Sequence, residues 1–226
     1  MNAPRLVLKK IAVIDSGSGG TTILRALERE ISHAQFIFKS DFENFPYGTK
    51  SDQEVINCSV THALAVVKEH NPDILVVACN TASTVALKVM REKIQIPVVG
   101  VVPAIKSAAQ VSVTKEIGLL ATSATVSRPY IDQLISDFAS ECVVLRHGAN
   151  RLVALAEEKA HGGIISLTEV EHEIRPLFCN KIDAIVLGCT HFPLLIDELK
   201  AVAPWPVHWI DSSAAIVRRV RFLLNI

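Results

Sequence analysis

The chain has 226 residues, half of them hydrophobic, with 23 Lys and Arg against 23 Asp and Glu and only 5% aromatics. That length supports one large α/β domain or two small ones, and so apolar a composition excludes disorder. A formal charge of zero with no basic stripe excludes an electrostatic footprint for nucleic acid, so no nucleic-acid partner is expected.

At the start of the chain, Met1 to Lys10 is too short and too weakly apolar for a signal peptide. Continuous apolar runs predict strands at Ile11–Ile14, Phe36–Lys39, Ile74–Ala78, Val98–Val102, Ile117–Leu120, Cys142–Leu145, Ile185–Gly188 and Val207–Ile210. Runs of this kind suit strands covered on both faces by helices. Between them, amphipathic stretches predict helices at Thr21–Ile31, Asp52–Glu69, Thr84–Lys93, Tyr130–Ala139, Ala149–Lys159, Leu167–Phe178, Leu194–Val202 and Ser213–Leu224. Alternation of this kind is the pattern of an α/β fold with mostly parallel sheets, whose chemistry gathers at the carboxyl ends of strands. The longest apolar stretch, Ile96 to Ile105, is broken by Pro97, Gly100 and Pro103, far short of the roughly 20 apolar residues of a spanning helix. No membrane association is expected. The five cysteines, at 58, 79, 142, 179 and 189, form no CxxC pair and leave an odd thiol, as in a reduced, cytoplasmic protein.

An internal repeat organises the chain. Asp73-Ile-Leu-Val-Val-Ala-Cys79 resembles Asp183-Ala-Ile-Val-Leu-Gly-Cys189, 110 positions later. Earlier in each half, Ile11-Ala-Val-Ile14 followed by Asp15-Ser16 resembles Ile117-Gly-Leu-Leu120 followed by Ala121-Thr122, 106 positions later. The expected architecture is therefore two similar α/β domains related by a pseudo-twofold axis, with the site in the cleft between them. Residues 1–100 form the first domain, 101–210 the second, and a C-terminal helix at 211–226 packs back on the first.

Such a pairing turns Cys79 and Cys189 toward one ligand from opposite sides. Two thiols so placed suit a reaction that takes a proton from one face of a carbon and returns one to the other. A free thiol has a pKa of roughly 8.5, so a modest lowering makes it a usable base near neutrality. The proton on such a carbon is far less acidic than a thiol, and preorganised donors in a dry cleft must stabilise the developing charge. Asn80, Thr81 and Thr190 follow the two cysteines, and a helix N-terminus after each would add backbone N–H groups. Asp15 and Ser16, at the first strand-end, are placed to bind an ammonium group or orient Cys79. His191 is placed to manage the proton on Cys189. Cys58, Cys142 and Cys179 have no polar motif around them and read as small core hydrophobes. Lys50 and Asp52 read as a solvated loop and a helix cap, and Trp205 and Trp209 as core or subunit contact.

Other motif classes fail. In Gly17-Ser-Gly19 the third glycine of a dinucleotide fingerprint is replaced by Thr22, and His172-Glu173 lacks a second histidine. There is no GxSxG elbow, and Cys189-Thr-His191 has no further ligands that would make a metal site.

Several blocks resemble the glutamate racemases of the cofactor-independent Asp/Glu racemase family. They are Asp15-Ser-Gly-Ser-Gly-Gly20, Pro46-Tyr47-Gly48-Thr-Lys50-Ser51, Ala78-Cys79-Asn80-Thr81-Ala82-Ser83 and Leu187-Gly188-Cys189-Thr190-His191-Phe-Pro193. With Ile96-Pro-Val-Val-Gly-Val101 and Ala121-Thr122…Thr125-Val126 they keep the family order over nearly the whole chain. The resemblance implies a two-base interconversion of L- and D-glutamate by Cys79 and Cys189, using neither pyridoxal phosphate nor a metal. It implies that Asp15, Ser16, Tyr47, Gly48, Asn80, Thr81, Thr190 and His191 contact or order the substrate, and that Glu157 assists. It further implies a homodimer in a bacterial cytoplasm, supplying D-glutamate for peptidoglycan. A racemase for aspartate or another acidic amino acid is the neighbouring alternative, and a binding protein that kept the cleft is another. The chain departs from many members at Asn44, where they carry Arg, and near Asn150-Arg151, where they carry Cys-Pro. Some relatives carry a longer N-terminal extension linked to activation by a cell-wall precursor; ten residues precede Ile11, and that regulation is not expected.

Overall fold

The computed structural model describes residues 8–226; residues 1–7, the start of the N-terminal segment considered above, lie outside them. The first half runs β1 (Lys9–Asp15), α1 (Thr21–Glu30), β2 (Ala34–Ser40), α2 (Asp52–His70), β3 (Ile74–Val77), α3 (Asn80–Val85), α4 (Leu87–Lys93) and β4 (Val98–Gly100). The second runs α5 (Ile105–Val111), β5 (Glu116–Ala121), α6 (Ser123–Val126), α7 (Pro129–Phe138), β6 (Val143–Gly148), α8 (Asn150–Ala160), α9 (Leu167–Ile174), β7 (Ala184–Leu187), α10 (Ile196–Val202) and β8 (His208–Ile210), before α11 (Ser213–Leu224) ends the chain. Each half holds a four-stranded sheet whose pairings are all parallel, ordered β2-β1-β3-β4 in one and β6-β5-β7-β8 in the other. One topology is thus used twice.

Alternation along the strands divides each core into two layers. In β1, Ile11 and Val13 enter the cluster shared with α1, while Ala12 and Ile14 face α2 and α4. In β7, Ile185 and Leu187 pack toward α8 and α10, while Ala184 and Val186 face α5 and α7. Both faces are covered, which is why these strands read as unbroken apolar runs. Ile216, Val217, Val220 and Leu224 of α11 join the cluster of Ile11, Ile23 and Leu27, so the C-terminal helix lies on the first sheet's side. The chain crosses between halves near 101–104 and again near 211–212, where the Ser212 hydroxyl donates to the Val102 carbonyl at 2.6 Å.

The aspartates that open the two repeated segments serve the strand ends far from the cysteines. Asp73 accepts from the Lys10 amide at 2.7 Å, and Asp183 from the Val113 and Thr114 amides at 2.6 and 2.9 Å. Each ties down the entry of its half's first strand.

Several element boundaries differ from the sequence reading. The helix expected from Thr84 begins at Asn80 and breaks at Ala86, giving α3 and α4. α5 and α6 were not expected; both are short, and α5 starts just after Pro103. The stretch Leu167–Phe178 ends as an α-helix at Ile174 and continues as a 3₁₀ turn containing Pro176. Ser51, not Asp52, caps α2: its side chain accepts from the Glu54 amide, while Glu54 bonds back to the Ser51 amide at 2.9 Å, a capping box. Cys58 and Cys142 are half-buried and Cys179 is exposed, so the last is not a core residue. Trp205 donates to the Ile182 carbonyl at 2.8 Å and meets the Phe178 ring edge-on. No helix among the described residues is long and apolar enough to cross a membrane.

Candidate active site

In a parallel sheet whose winding reverses between neighbouring strands, loops diverge and leave a crevice at their carboxyl ends. In the order β2-β1-β3-β4 the reversal falls between β1 and β3; in β6-β5-β7-β8 it falls between β5 and β7. β1 delivers Asp15 and Ser16 there, β3 delivers Cys79, β5 delivers Thr122 and β7 delivers Cys189. The two crevices face each other and enclose one cavity of roughly 90 Å³. Cys79, Asn80 and Thr81 line it from the first half, and Cys189, Thr190 and His191 from the second. Ser16 and the loop Phe45–Thr49 complete one wall, with Thr122, Asn150 and Val153 opposite.

The expected residues therefore converge, with two differences. Asp15, expected to contact substrate, stands behind the cavity wall and does not line it, beside the assisting Glu157. Asp15 is 3% exposed; it accepts from the Gly20 amide at 2.8 Å and the Thr190 hydroxyl at 3.4 Å. Burial raises its pKa, an effect opposed by the neighbouring His191 charge and the Gly20 amide. The second difference concerns Thr190, which does not open an α-helix as expected. Pro193 lies in a 3₁₀ turn, Phe192–Leu195, and α10 starts only at Ile196.

The two cysteines occupy unlike surroundings. Cys79 caps α3, with the Ala82 amide donating to its sulfur at 3.5 Å and the Ser16 hydroxyl 3.8 Å away. Burial, then the nearby Asp15 charge, pushes its thiol up to about 12 despite the Ala82 amide. Cys189 Sγ lies 3.7 Å from His191 Nδ1, and His191 Nε2 lies 2.7 Å from Glu157 Oε1. A contact that short to a carboxylate requires a proton on Nε2. The Gly19 amide, 3.3 Å from the same nitrogen, is then a close neighbour and not its donor. Burial opposes charge on His191, yet its bonds to Cys189 and Glu157 prevail and raise its pKa to about 10. Burial likewise opposes the charge on Glu157, but His191 and the Ser18 amide hold its carboxyl down near 2. His191 is thus an imidazolium at neutral pH, wedged between a sulfur and a carboxylate. An imidazolium 3.7 Å from sulfur stabilises negative charge there. Glu157, not its neighbour Glu158, makes this contact.

The glycines of the first loop let it approach this triad. A Cβ on Gly19 would stand 2.6 Å from His191 Nδ1 and 2.7 Å from the His191 backbone nitrogen. Side-chain rotation relieves only the first of these clashes. Across the cavity, the Asn80 side-chain oxygen is buried with no partner among the described residues, an acceptor free for an incoming ammonium group. Thr81 Oγ1 lies 3.3 Å from both Thr122 Oγ1 and Thr125 Oγ1. Tyr47 donates to Asp41 at 2.6 Å, and Asn44 to the same carboxylate at 3.0 Å, which anchors the loop carrying Phe45. The Phe45 ring lies 5.8 Å from the His191 ring. Phe45, Thr122, Asn150 and Val153 were not expected to line the site; Thr122 sat in one of the family blocks and Asn150 at a departure from the family pattern, while Phe45 and Val153 are apolar residues that nothing local marks. Among the described residues no three His, Cys, Asp or Glu are grouped to hold a metal ion.

Paired α/β halves with one cysteine each at equivalent strand-ends define a class, and the family comparison agrees: residues 11–220 match the Asp/Glu/hydantoin racemase model, and the chain belongs to that family. Within it, the chain is 45% identical to a glutamate racemase of Pectobacterium atrosepticum over 216 residues, 95% of this chain and 76% of that one. Among solved structures it resembles Escherichia coli glutamate racemase in complex with L-glutamate and the activator UDP-MurNAc-Ala. That match has a TM-score of 0.93 and 43% identity, covering 97% of this chain and 83% of that one. An aspartate racemase of Picrophilus torridus shares the fold, with a TM-score of 0.61 at 17% identity, covering 96% of this chain and 94% of that one.

Proposed function

We propose that this chain is a glutamate racemase that uses Cys79 and Cys189 as its two acid/base groups, without a cofactor. The observation that carries the reading is that two cysteines, one from each half and each at the end of the third strand of its sheet, line one cavity. Burial keeps the Cys79 thiol neutral, while the His191 imidazolium faces Cys189 Sγ and stabilises negative charge as it develops there. Cys189 then removes the Cα proton of one enantiomer while Cys79 delivers its own to the opposite face. For the reverse direction the protonation states exchange, and the Ala82 amide and Ser16 hydroxyl support charge on Cys79. Asn80, Thr81, Thr190 and the loop Tyr47–Gly48 bind the substrate's charged groups. Asp15 acts from behind, by orienting Thr190. Glutamate is favoured over aspartate by the 43–45% identity to glutamate racemases, against 17% to an aspartate racemase. The enzyme works as a homodimer in the bacterial cytoplasm and supplies D-glutamate for peptidoglycan.

The test is circular dichroism of purified, chelator-dialysed protein with each enantiomer of glutamate and of aspartate, without added pyridoxal phosphate. Glutamate should racemise, and aspartate, one methylene shorter, should have a kcat/KM lower by roughly tenfold or more. Equal or faster turnover of aspartate, or activity that appears only when a metal or pyridoxal phosphate is added, would overturn the reading.

A further inference from the structure

The geometry points to Arg128 as a positioning residue for the Cys79 side of the site, acting across the cleft through the Thr81 peptide. The inference rests on the reading that Asn80 and Thr81 bind substrate. Arg128 belongs to the second half, immediately before Pro129, which opens α7. A residue before proline is driven to extended backbone, and Arg128 has φ −83° and ψ 141°. Its backbone stays within the second half, and every side-chain hydrogen bond it makes lands on the first half. Its Nη1 donates to the Thr81 carbonyl at 3.1 Å and to the Thr84 hydroxyl at 2.6 Å. Its Nη2 and Nε donate to Asp52 Oδ1 at 2.7 and 3.3 Å.

Arg128 is only 6% exposed, so these bonds form where water does not compete freely. A buried guanidinium with its donors matched stays put, because removing any one partner strands a charge. The first turn of α3 is therefore gripped from the second half twice. Arg128 holds its backbone at Thr81, and Thr122 and Thr125 hold the Thr81 side chain. Asp52 follows directly on the loop Tyr47–Ser51, so the same guanidinium also links that wall of the cavity to α3. The Asp52 side chain is 64% exposed, which leaves this arm accessible to solvent and the Thr81 arm internal. Lysine cannot reproduce the fork, since one ammonium cannot reach Asp52 and the Thr81 carbonyl in the guanidinium's geometry.

Arg128→Gln, Arg128→Lys and Asp52→Asn are compared with the unaltered protein by steady-state kinetics on both glutamate enantiomers, with thermal unfolding alongside. Loss of stability alone lowers the active fraction and hence kcat, and leaves KM where it was. Positioning predicts a KM raised by about tenfold in Arg128→Gln together with a lower kcat. Arg128→Lys should recover part of this loss, and Asp52→Asn, which spares the Thr81 and Thr84 bonds, should show a smaller rise. A KM in Arg128→Gln within about twofold of the unaltered value would overturn the inference. If Arg128→Gln does not fold, Thr84→Val and Asp52→Asn decide, and wild-type KM in both overturns it. If the unaltered protein does not racemise glutamate, it is the functional reading that falls. Calorimetric titration with L-glutamate then replaces kinetics, and equal affinity in all variants overturns this inference too.

Discussion

Replacing either Cys79 or Cys189 by serine is expected to slow racemisation by about 10²–10⁴-fold, because a hydroxyl is a far poorer base than a thiol at the same position. The two losses should nonetheless differ in kind. A glutamate analogue with a leaving group on Cβ needs deprotonation from one face only, and each variant keeps one competent cysteine. Elimination should therefore survive in both, with opposite preference for the D and L analogues. Cys58→Ser, Cys142→Ser and Cys179→Ser, which alter half-buried or exposed thiols away from the cavity, should racemise normally. If both site variants eliminate from the same enantiomer, or if one of the three remote changes abolishes turnover in a folded protein, the assignment of the two bases is wrong.

Glu157→Gln is expected to move the alkaline limit of activity toward neutral pH. In the native site, burial lowers the pKa of His191, and the bonds to Cys189 and Glu157 overcome it to hold the ring protonated up to about 10. Without the carboxylate, burial has less opposition and the imidazolium is lost at a lower pH, and with it the positive charge 3.7 Å from the Cys189 sulfur. At pH 8 the rate should fall about tenfold or more, with a smaller loss near pH 6. Stability should respond in the same window. A histidine whose folded pKa lies above its ordinary 6.5 contributes stability that is complete below 6.5 and is lost as pH rises through about 10. The unaltered protein should therefore lose thermal stability across that range, and Glu157→Gln should lose much less. Parallel pH–rate profiles for the two proteins would refute this account of the Cys189 side.

The features legible in the sequence were those whose signal is local. Strands covered on both faces must be apolar throughout, so Ile74–Ala78 and Ile185–Gly188 stood out, within a residue of the strands Ile74–Val77 and Ala184–Leu187, and the cysteines after them marked the crevice. The start of α3 was misplaced because Cys79 serves as its N-cap, a role in which cysteine is not a preferred residue. Thr190 was expected to open a helix by analogy with Asn80, but Pro193 and the 3₁₀ turn intervene. Glu157 and Glu158 are adjacent on α8 and about 100° apart around it, so only the packed position of the helix selects the one that meets His191. Thr122 caps α6, Thr125 lies within it and Arg128 precedes α7, polar residues of a kind shared by many such connections. Their importance comes from the half of the molecule that faces them, and no window of sequence contains both partners. Asp15 ends the first strand and was read as binding an ammonium group or orienting Cys79; its side chain accepts from the Gly20 amide behind the cavity wall, a contact that the strand pattern alone does not show.

Hydrogen-isotope exchange in D₂O tests the central claim most directly. L-glutamate is incubated with the protein in D₂O, sampled at low conversion, and both enantiomers are separated and analysed for deuterium at Cα. The experiment is then repeated from D-glutamate. With two bases, the proton removed by one cysteine stays on that side, while the other cysteine, already equilibrated with solvent, supplies deuterium to the opposite face. The product enantiomer should be deuterated almost completely while the remaining substrate keeps its hydrogen, in both directions. Product that retains the substrate's own hydrogen, or substrate that gains deuterium as fast as product forms, would contradict the two-cysteine account.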